Sequence, residues 1–159
     1  MSYMYTNLSS WRMSDCAIDR ILPADLPKTW PTLQLFLDLT PSLWEDGYTH
    51  EKFLDEILAG TLQLWVITEE NKILAFAATQ VRTIGAKKTV VIVWLAGKRM
   101  TERRLLQFAI DCAHRYAAYV QAQEVVIEGR PGWMRLVTRL GFTQKYVVLS
   151  MRTLRERMN

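Results

Sequence analysis

The stretch Thr89–Val120, TVVIVWLAGKRMTERRLLQFAIDCAHRYAAYV, decides the fold. Its opening run, TVVIVWLA over 89–96, is continuously apolar and rich in β-branched residues, with no ionisable side chain. Such a run makes a strand buried on both faces. The period then changes. Leu105, Leu106, Ala109, Cys112, Ala113, Tyr116, Ala117 and Val120 recur at helical spacing. This predicts a helix over 101–120, with Thr101 as N-cap and Glu102 in the first turn. QEVVIEG (123–129) follows as another strand. A strand, a long helix and a second strand form a crossover unit whose two strands run parallel.

Towards the N-terminus, Ile84-Gly85-Ala86 reads as a turn, ILAFAATQV (73–81) and LQLWVIT (62–68) as strands, and EENK as the hairpin between them. THEKFLDEILAG is a helix with Thr49 as N-cap, Glu51 in the first turn, a stripe of Phe53, Leu54, Ile57 and Leu58, and Gly60 as its stop. An earlier helix is predicted over 31–39. Pro31 suits its first position, Leu33, Phe36 and Leu37 share a face, and Pro41 marks its end. The first twenty residues lack clear periodicity and read as a loose arm or an edge strand. Towards the C-terminus, GRPGWMRLVTRLGF (129–142) predicts a short basic helix over 133–140, with a stripe of Trp133, Leu136, Val137 and Leu140. Gly141 closes that helix, and QKYVVLSM (144–151) is a last strand. The order is α-α-β-β-β-α-β-α-β: a mixed α+β fold with a central sheet flanked by helices, one domain over 1–159.

The chain has 159 residues, half of them apolar, and a net charge of +4 that hides an asymmetry. Residues 1–80 hold five Lys/Arg against eleven Asp/Glu, and residues 81–159 hold fifteen against five. A basic half suits an anionic partner: a phosphate-bearing cofactor, nucleic acid or an acidic protein. No helix-turn-helix or zinc-site motif accompanies it, so nucleic acid is the least expected of these. Cys16 and Cys112 have no metal-type spacing and read as reduced thiols. No apolar run approaches the ~20 residues of a membrane span, and no basic-then-apolar leader opens the chain. A cytoplasmic protein without metal is expected.

The element order, the strand–helix unit at 89–120 and the helix–Leu140-Gly141-Phe142–strand ending together resemble the GNAT superfamily of acyl-CoA-dependent N-acyltransferases. The likeness covers about residues 20–151. Gly129, Arg130, Gly132, Trp133, Arg135, Gly141 and Phe142 resemble the ending of a divergent branch encoded by tailed bacteriophages and prophages. The resemblance implies acetyl-CoA, held where the central strand meets the long helix, and so implicates Leu95, Gly97, Lys98, Arg99, Met100 and Thr101. This loop has one glycine and no Gly-x-Gly. Lys98 and Arg99 can reach phosphate, while the bulk of Arg99 and Met100 opposes close backbone approach; a plain turn with solvated cations is the alternative. The family's strand carboxylate is missing from 89–96, leaving Glu128 as the candidate general base. His114, in the long helix, reads as an ordinary helical histidine. Val137 stands where the family's acidic Tyr is implied and cannot donate a proton. Arg130, Trp133, Arg135 and Arg139 form either a wall for a partner or a solvated basic face. The expectation is a GNAT-fold protein with an eroded acetyltransferase signature that works by binding another protein or a second copy, in an accessory or virion-associated role. An active acetyl-CoA-dependent N-acetyltransferase with a rewired site is the alternative.

Overall fold

The computed structural model describes residues 10–39, 48–129, 131–145, 149, 151 and 153. Met1–Gly129 and Arg130–Asn159 are two compact units. In the larger unit six strands form one sheet in chain order: β1 (Ser10–Met13), β2 (Cys16–Ile21), β3 (Gln63–Glu69), β4 (Lys72–Ile84), β5 (Lys87–Gly97) and β6 (Glu124–Ile127). Neighbours are antiparallel up to β5, and β5 pairs β6 in parallel. That parallel step spans α3 (Arg103–Tyr119), as the strand–helix–strand pattern requires. The EENK turn closes with Glu70 and Asn71 at positive φ (49° and 64°), the twist that suits a tight hairpin.

Residues 10–21 are a hairpin rather than a loose arm. Its turn passes through Ser14 at φ 53°, and the Ser10 hydroxyl donates to Asp19. β1 is the edge strand, and β2 is paired on both sides. Cys16, Ala17 and Ile18 are consecutively buried in β2, so no alternation marks it in the sequence.

Three helix boundaries differ from expectation. α1 (Leu26–Asp38) begins at Leu26, and Pro31 lies inside it. Pro31 removes one helical hydrogen bond, to the carbonyl of Pro27. The helix continues because Leu33 and Leu37, both 0% exposed, anchor the turns that follow. α3 begins at Arg103, with Glu102 rather than Thr101 at the N-cap and no side-chain cap bond. α4 (Pro131–Thr138), in the smaller unit, begins and ends two residues earlier than expected. Its closing turn takes Gly141 at φ 97°, and the Phe142 N–H donates to the Val137 carbonyl. By contrast α2 (His50–Leu58) follows its signals: Thr49 accepts from the Lys52 N–H at 3.1 Å, and Gly60 takes φ 81°. Of the expected strand over 144–151, residues 146–148 and 150 lie outside the described residues, and 144, 145, 149 and 151 are in no strand.

The sheet carries a core on each face. On one, Leu33 and Leu37 of α1 and Phe53 and Ile57 of α2 pack on Leu64, Phe76, Ala78 and Trp94. Phe53 meets Trp94 edge-on at 5.5 Å. Each such side chain contributes about 1.5–3 kcal/mol on burial. On the other face α3 buries Leu105, Leu106, Phe108, Cys112 and Tyr116. Tyr116 meets Trp65 at 5.0 Å, and Trp11 meets Trp65 at 5.3 Å. A polar chain runs through this face. Trp65 Nε1 donates to Thr79 Oγ1 at 3.0 Å, Thr79 donates to Gln63 at 3.0 Å, and Gln63 reaches the Gly60 carbonyl at 3.2 Å.

Candidate functional site

β5 behaves as two half-strands. Thr89, Val90 and Val91 are fully buried and pair with both β4 and β6. Ala78 pairs with Trp94 and Thr79 with Ile92, so Val93 is an extra residue, a bulge. The β6 ladder ends at the same place: its last pair is Ile92–Ile127, and the Glu128 N–H donates to the Ile92 carbonyl at 3.1 Å. Beyond it, Trp94–Gly97 stays paired with β4, and Val93–Gly97 has no strand on its other edge among the described residues. Such an edge offers N–H and C=O groups to an extended, amide-bearing ligand.

The open half-strand leads into the loop singled out by sequence. Leu95 is half-buried; Gly97, Lys98 and Arg99 are exposed, Met100 is buried and Thr101 is exposed. Gly97 has a packing reason to be glycine. A Cβ there would lie 2.3 Å from both Ala75 Cβ and the Leu74 carbonyl oxygen. Lys98 donates its N–H to that carbonyl at 2.8 Å, so the loop is tied to β4.

Arg99 adopts φ 62°, uncommon for a side-chain-bearing residue. Its guanidinium is forked: Nε and Nη2 donate to Glu102 at 2.7 and 3.1 Å, and Nη1 donates to Glu69 at 2.5 Å. Arg104 Nη2 donates to the other oxygen of Glu69 at 3.1 Å, and its Nη1 lies 3.7 Å from Asp15. The Cys16 thiol donates to Glu69 at 3.4 Å. The Arg99 hydrogen bonds hold the Glu69 and Glu102 carboxyls below their ordinary range. Burial, then the bond to Glu69, pushes the Cys16 thiol up to about 11. Asp15, Cys16 and Glu69 also bring three potential metal-ligand atoms within 4.8 Å of one another. Two guanidinium groups share that space and compete with a cation for the same oxygens.

Glu128 sits at the C-terminal end of β6, where the two strands part. Its Oε1 accepts from Arg82 at 2.7 Å, and Arg82 Nε donates to Gln80 at 2.6 Å. His114 is exposed on α3. In the smaller unit Val137 is buried, Trp133 half-buried, and Arg135 and Arg139 exposed; Arg130 lies outside the described residues. Sequence reading took Glu69 for a turn residue and passed over Arg82, Arg104 and Asp15. Only Arg99 and Glu102, three apart, carried a local signal. No helix among the described residues is long and apolar enough to cross a membrane.

No protein-family model matches the sequence, and no curated protein matches it. Solved structures do. An aminoglycoside acetyltransferase from an uncultured soil metagenomic sample superposes with TM-score 0.63 at 18% identity, over 88% of this chain and 97% of that one. An aminoglycoside N-acetyltransferase in complex with CoA gives TM-score 0.65 at 18% identity, over 90% and 97%. Glucosamine-6-phosphate N-acetyltransferase from Arabidopsis thaliana gives 0.60 at 18%, over 87% and 99%. The mixed α+β architecture is therefore that of the GNAT acetyltransferases, and at these identities the likeness is one of fold.

Proposed function

We propose that this chain is a GNAT-fold binding protein that does not carry out acyl transfer, and that it acts on another protein or on a second copy of itself. The observation that supports this most directly is the state of Glu128. It is the carboxylate at the mouth of the β5–β6 parting, and one of its oxygens is bound to Arg82 at 2.7 Å, with Gln80 fixing that arginine. A general base must turn a free oxygen to the amine it deprotonates, and the Arg82 bond at Oε1 tethers this carboxylate to β4 and leaves only Oε2 for that role. Val137 supplies no acid, and the run 89–96 supplies no carboxylate.

CoA, bound by one of the structural neighbours, fits one half of this site. The open edge of Val93–Gly97 can pair with the amides of its arm. The loop that would take its phosphates does not fit: Met100 is 4% exposed, Gly97 faces β4, and Arg99 is bound to two carboxylates. The surface offered to a partner is α4, where Trp133 and Met134 stand beside the exposed Arg135 and Arg139. Aromatic and Arg side chains are over-represented at binding hot spots. The phage-type ending suggests an accessory or virion-associated setting.

The second reading, an acetyl-CoA-dependent N-acetyltransferase with a rewired site, is favoured by the open β5 edge. The deciding assay follows acetylation of a polyamine, a lysine peptide and an aminoglycoside by mass spectrometry. No product above the spontaneous rate is expected. Turnover that falls by about 10²–10⁴-fold in Glu128→Gln would establish the enzyme instead. In parallel, sedimentation should reveal a self-complex, or a complex with a candidate partner protein, that Trp133→Ala and Arg135→Glu both weaken.

A further inference from the structure

We infer that Glu69 and Glu102 are built-in counter-anions that withhold Arg99 and Arg104, at the N-terminus of α3, from phosphate-bearing ligands. A helix N-terminus with arginines beside it ordinarily attracts an anion. Here the attraction is satisfied from within. Glu102 occupies the N-cap position itself and binds Arg99 through both oxygens, at 2.7 and 3.1 Å. Glu69 arrives from the end of β3 and bridges Arg99 and Arg104, one oxygen to each. With Asp15 near Arg104, three carboxylates hold these two guanidinium groups in ion pairs, while Lys98 and Arg103, exposed on the same loop and first turn, bring the local sum to four cations against three carboxylates. An incoming phosphate therefore meets two arginines whose donors are already taken, where the fold would otherwise offer them free.

Two N–H groups of the loop are committed as well, whereas the first turn of α3 has no side-chain cap. Lys98 N–H bonds the Leu74 carbonyl at 2.8 Å, and Glu102 N–H bonds the Arg99 carbonyl at 3.0 Å. The forked guanidinium holds Arg99 at φ 62°, and Met100, buried, pins the loop on the core side. The carboxylates thus serve two ends: they neutralise the two arginines and tie the loop to β3 and to the start of α3. This inference concerns binding alone and stands apart from whether any amine is acetylated.

The test compares the wild-type chain with Glu102→Gln and with Glu69→Gln/Glu102→Gln, using inorganic pyrophosphate and CoA as probes at matched ionic strength. Titration calorimetry and thermal shift supply the readouts. The wild type should bind neither probe at 1 mM or below. The double variant removes two negative charges, frees Arg99, takes one partner from Arg104, and should bind pyrophosphate about tenfold or more tightly than the wild type. Glu102 is exposed, so the single variant folds even if the double does not, and it should gain several-fold. Submillimolar binding of either probe by the wild type overturns the inference, as does a variant pair that gains nothing. CoA binding without turnover sinks this inference and leaves the non-catalytic reading standing; turnover sinks both.

Discussion

Gly97→Ala separates a packing glycine from a ligand-approach glycine. The new Cβ would sit 2.3 Å from Ala75 Cβ, 2.3 Å from the Leu74 oxygen and 2.5 Å from Ala75 Cα. Carbon atoms at rest lie about 3.5–4.0 Å apart. The strands must therefore part by roughly 1 Å, and two of the three obstructing atoms are main chain, so no rotamer change relieves them. Ala75–Gly97 is the last pair of the β4–β5 ladder, and the adjoining Lys98–Leu74 bond at 2.8 Å goes with it. Overpacking costs about 1–3 kcal/mol and a lost hydrogen bond about 1 kcal/mol. Reduced freedom of the unfolded chain returns about 0.4–1 kcal/mol. The net is a loss of roughly 2–3 kcal/mol, a fall in Tm of about 5–10 °C for a chain of this size. Circular dichroism melts and urea midpoints measure it. Adding Ala75→Gly removes the Cβ–Cβ clash and should restore part of the loss. If Gly97→Ala melts with the wild type, the packing argument is wrong. Should that stable variant also lose binding to a CoA probe, the glycine is there for a ligand.

Three further outcomes are expected. Thr79→Val keeps the shape but orphans the Trp65 N–H and the Gln63 oxygen; it should cost about 2–4 kcal/mol by urea titration, and a cost below about 0.5 kcal/mol would mean the chain Trp65–Thr79–Gln63 is not formed. Cys16 and Cys112 are 1% and 3% exposed, with thiols pushed up to about 11 and about 12, chiefly by burial. At pH 8 iodoacetamide should label them only as fast as the chain opens, and rapid labelling of native protein would contradict their placement. The Glu69 and Glu102 carboxyls lie below their ordinary 4.5, so their stabilisation is present above that value and is lost as pH falls through the lower, folded one. The difference in Tm between wild type and Glu69→Gln should therefore shrink from pH 7 to pH 3; a constant difference would show that Glu69 is not paired in solution.

What the sequence discloses is what repeats locally. The strand and helix of 89–120 are legible because an unbroken apolar run and a period of 3.6 each admit one reading. Thr49 and Gly60 are legible because caps act within one turn. Pro31 misleads for the same reason: the local rule places it at a helix start, and the buried Leu33 and Leu37 carry the helix through it. The hairpin at 10–21 is hidden because β2, paired and buried on both sides, alternates nothing. The site hides more deeply still. Glu69 and Arg99 stand thirty residues apart in sequence and meet only because β3 ends beside the loop that leaves β5. Arg82 and Glu128, forty-six apart, meet across β5. A sequence can show that the loop lacks Gly-x-Gly; it cannot show which carboxylates have moved in.

The loop is also coupled to the core, and this bears on whether a phosphate cradle could be restored by simple substitution. Met100, at 4% exposed, is a loop residue drawn into the packed interior. Exchanging it for glycine, the change that would open the backbone, removes that buried side chain and adds backbone freedom. Truncation of a buried Met to Ala costs about 2–5 kcal/mol, and glycine adds about 0.5–1 kcal/mol more. A domain whose whole stability is about 5–15 kcal/mol has limited room for such a loss. Removing the charge of the exposed Glu102, by contrast, leaves the core untouched. The two routes to an anion site are therefore unequal: negative charge can be removed at the surface with the fold intact, while backbone access is bound up with stability. A Met100→Gly chain that melted with the wild type would break this coupling, and with it the claim that the loop has become part of the core.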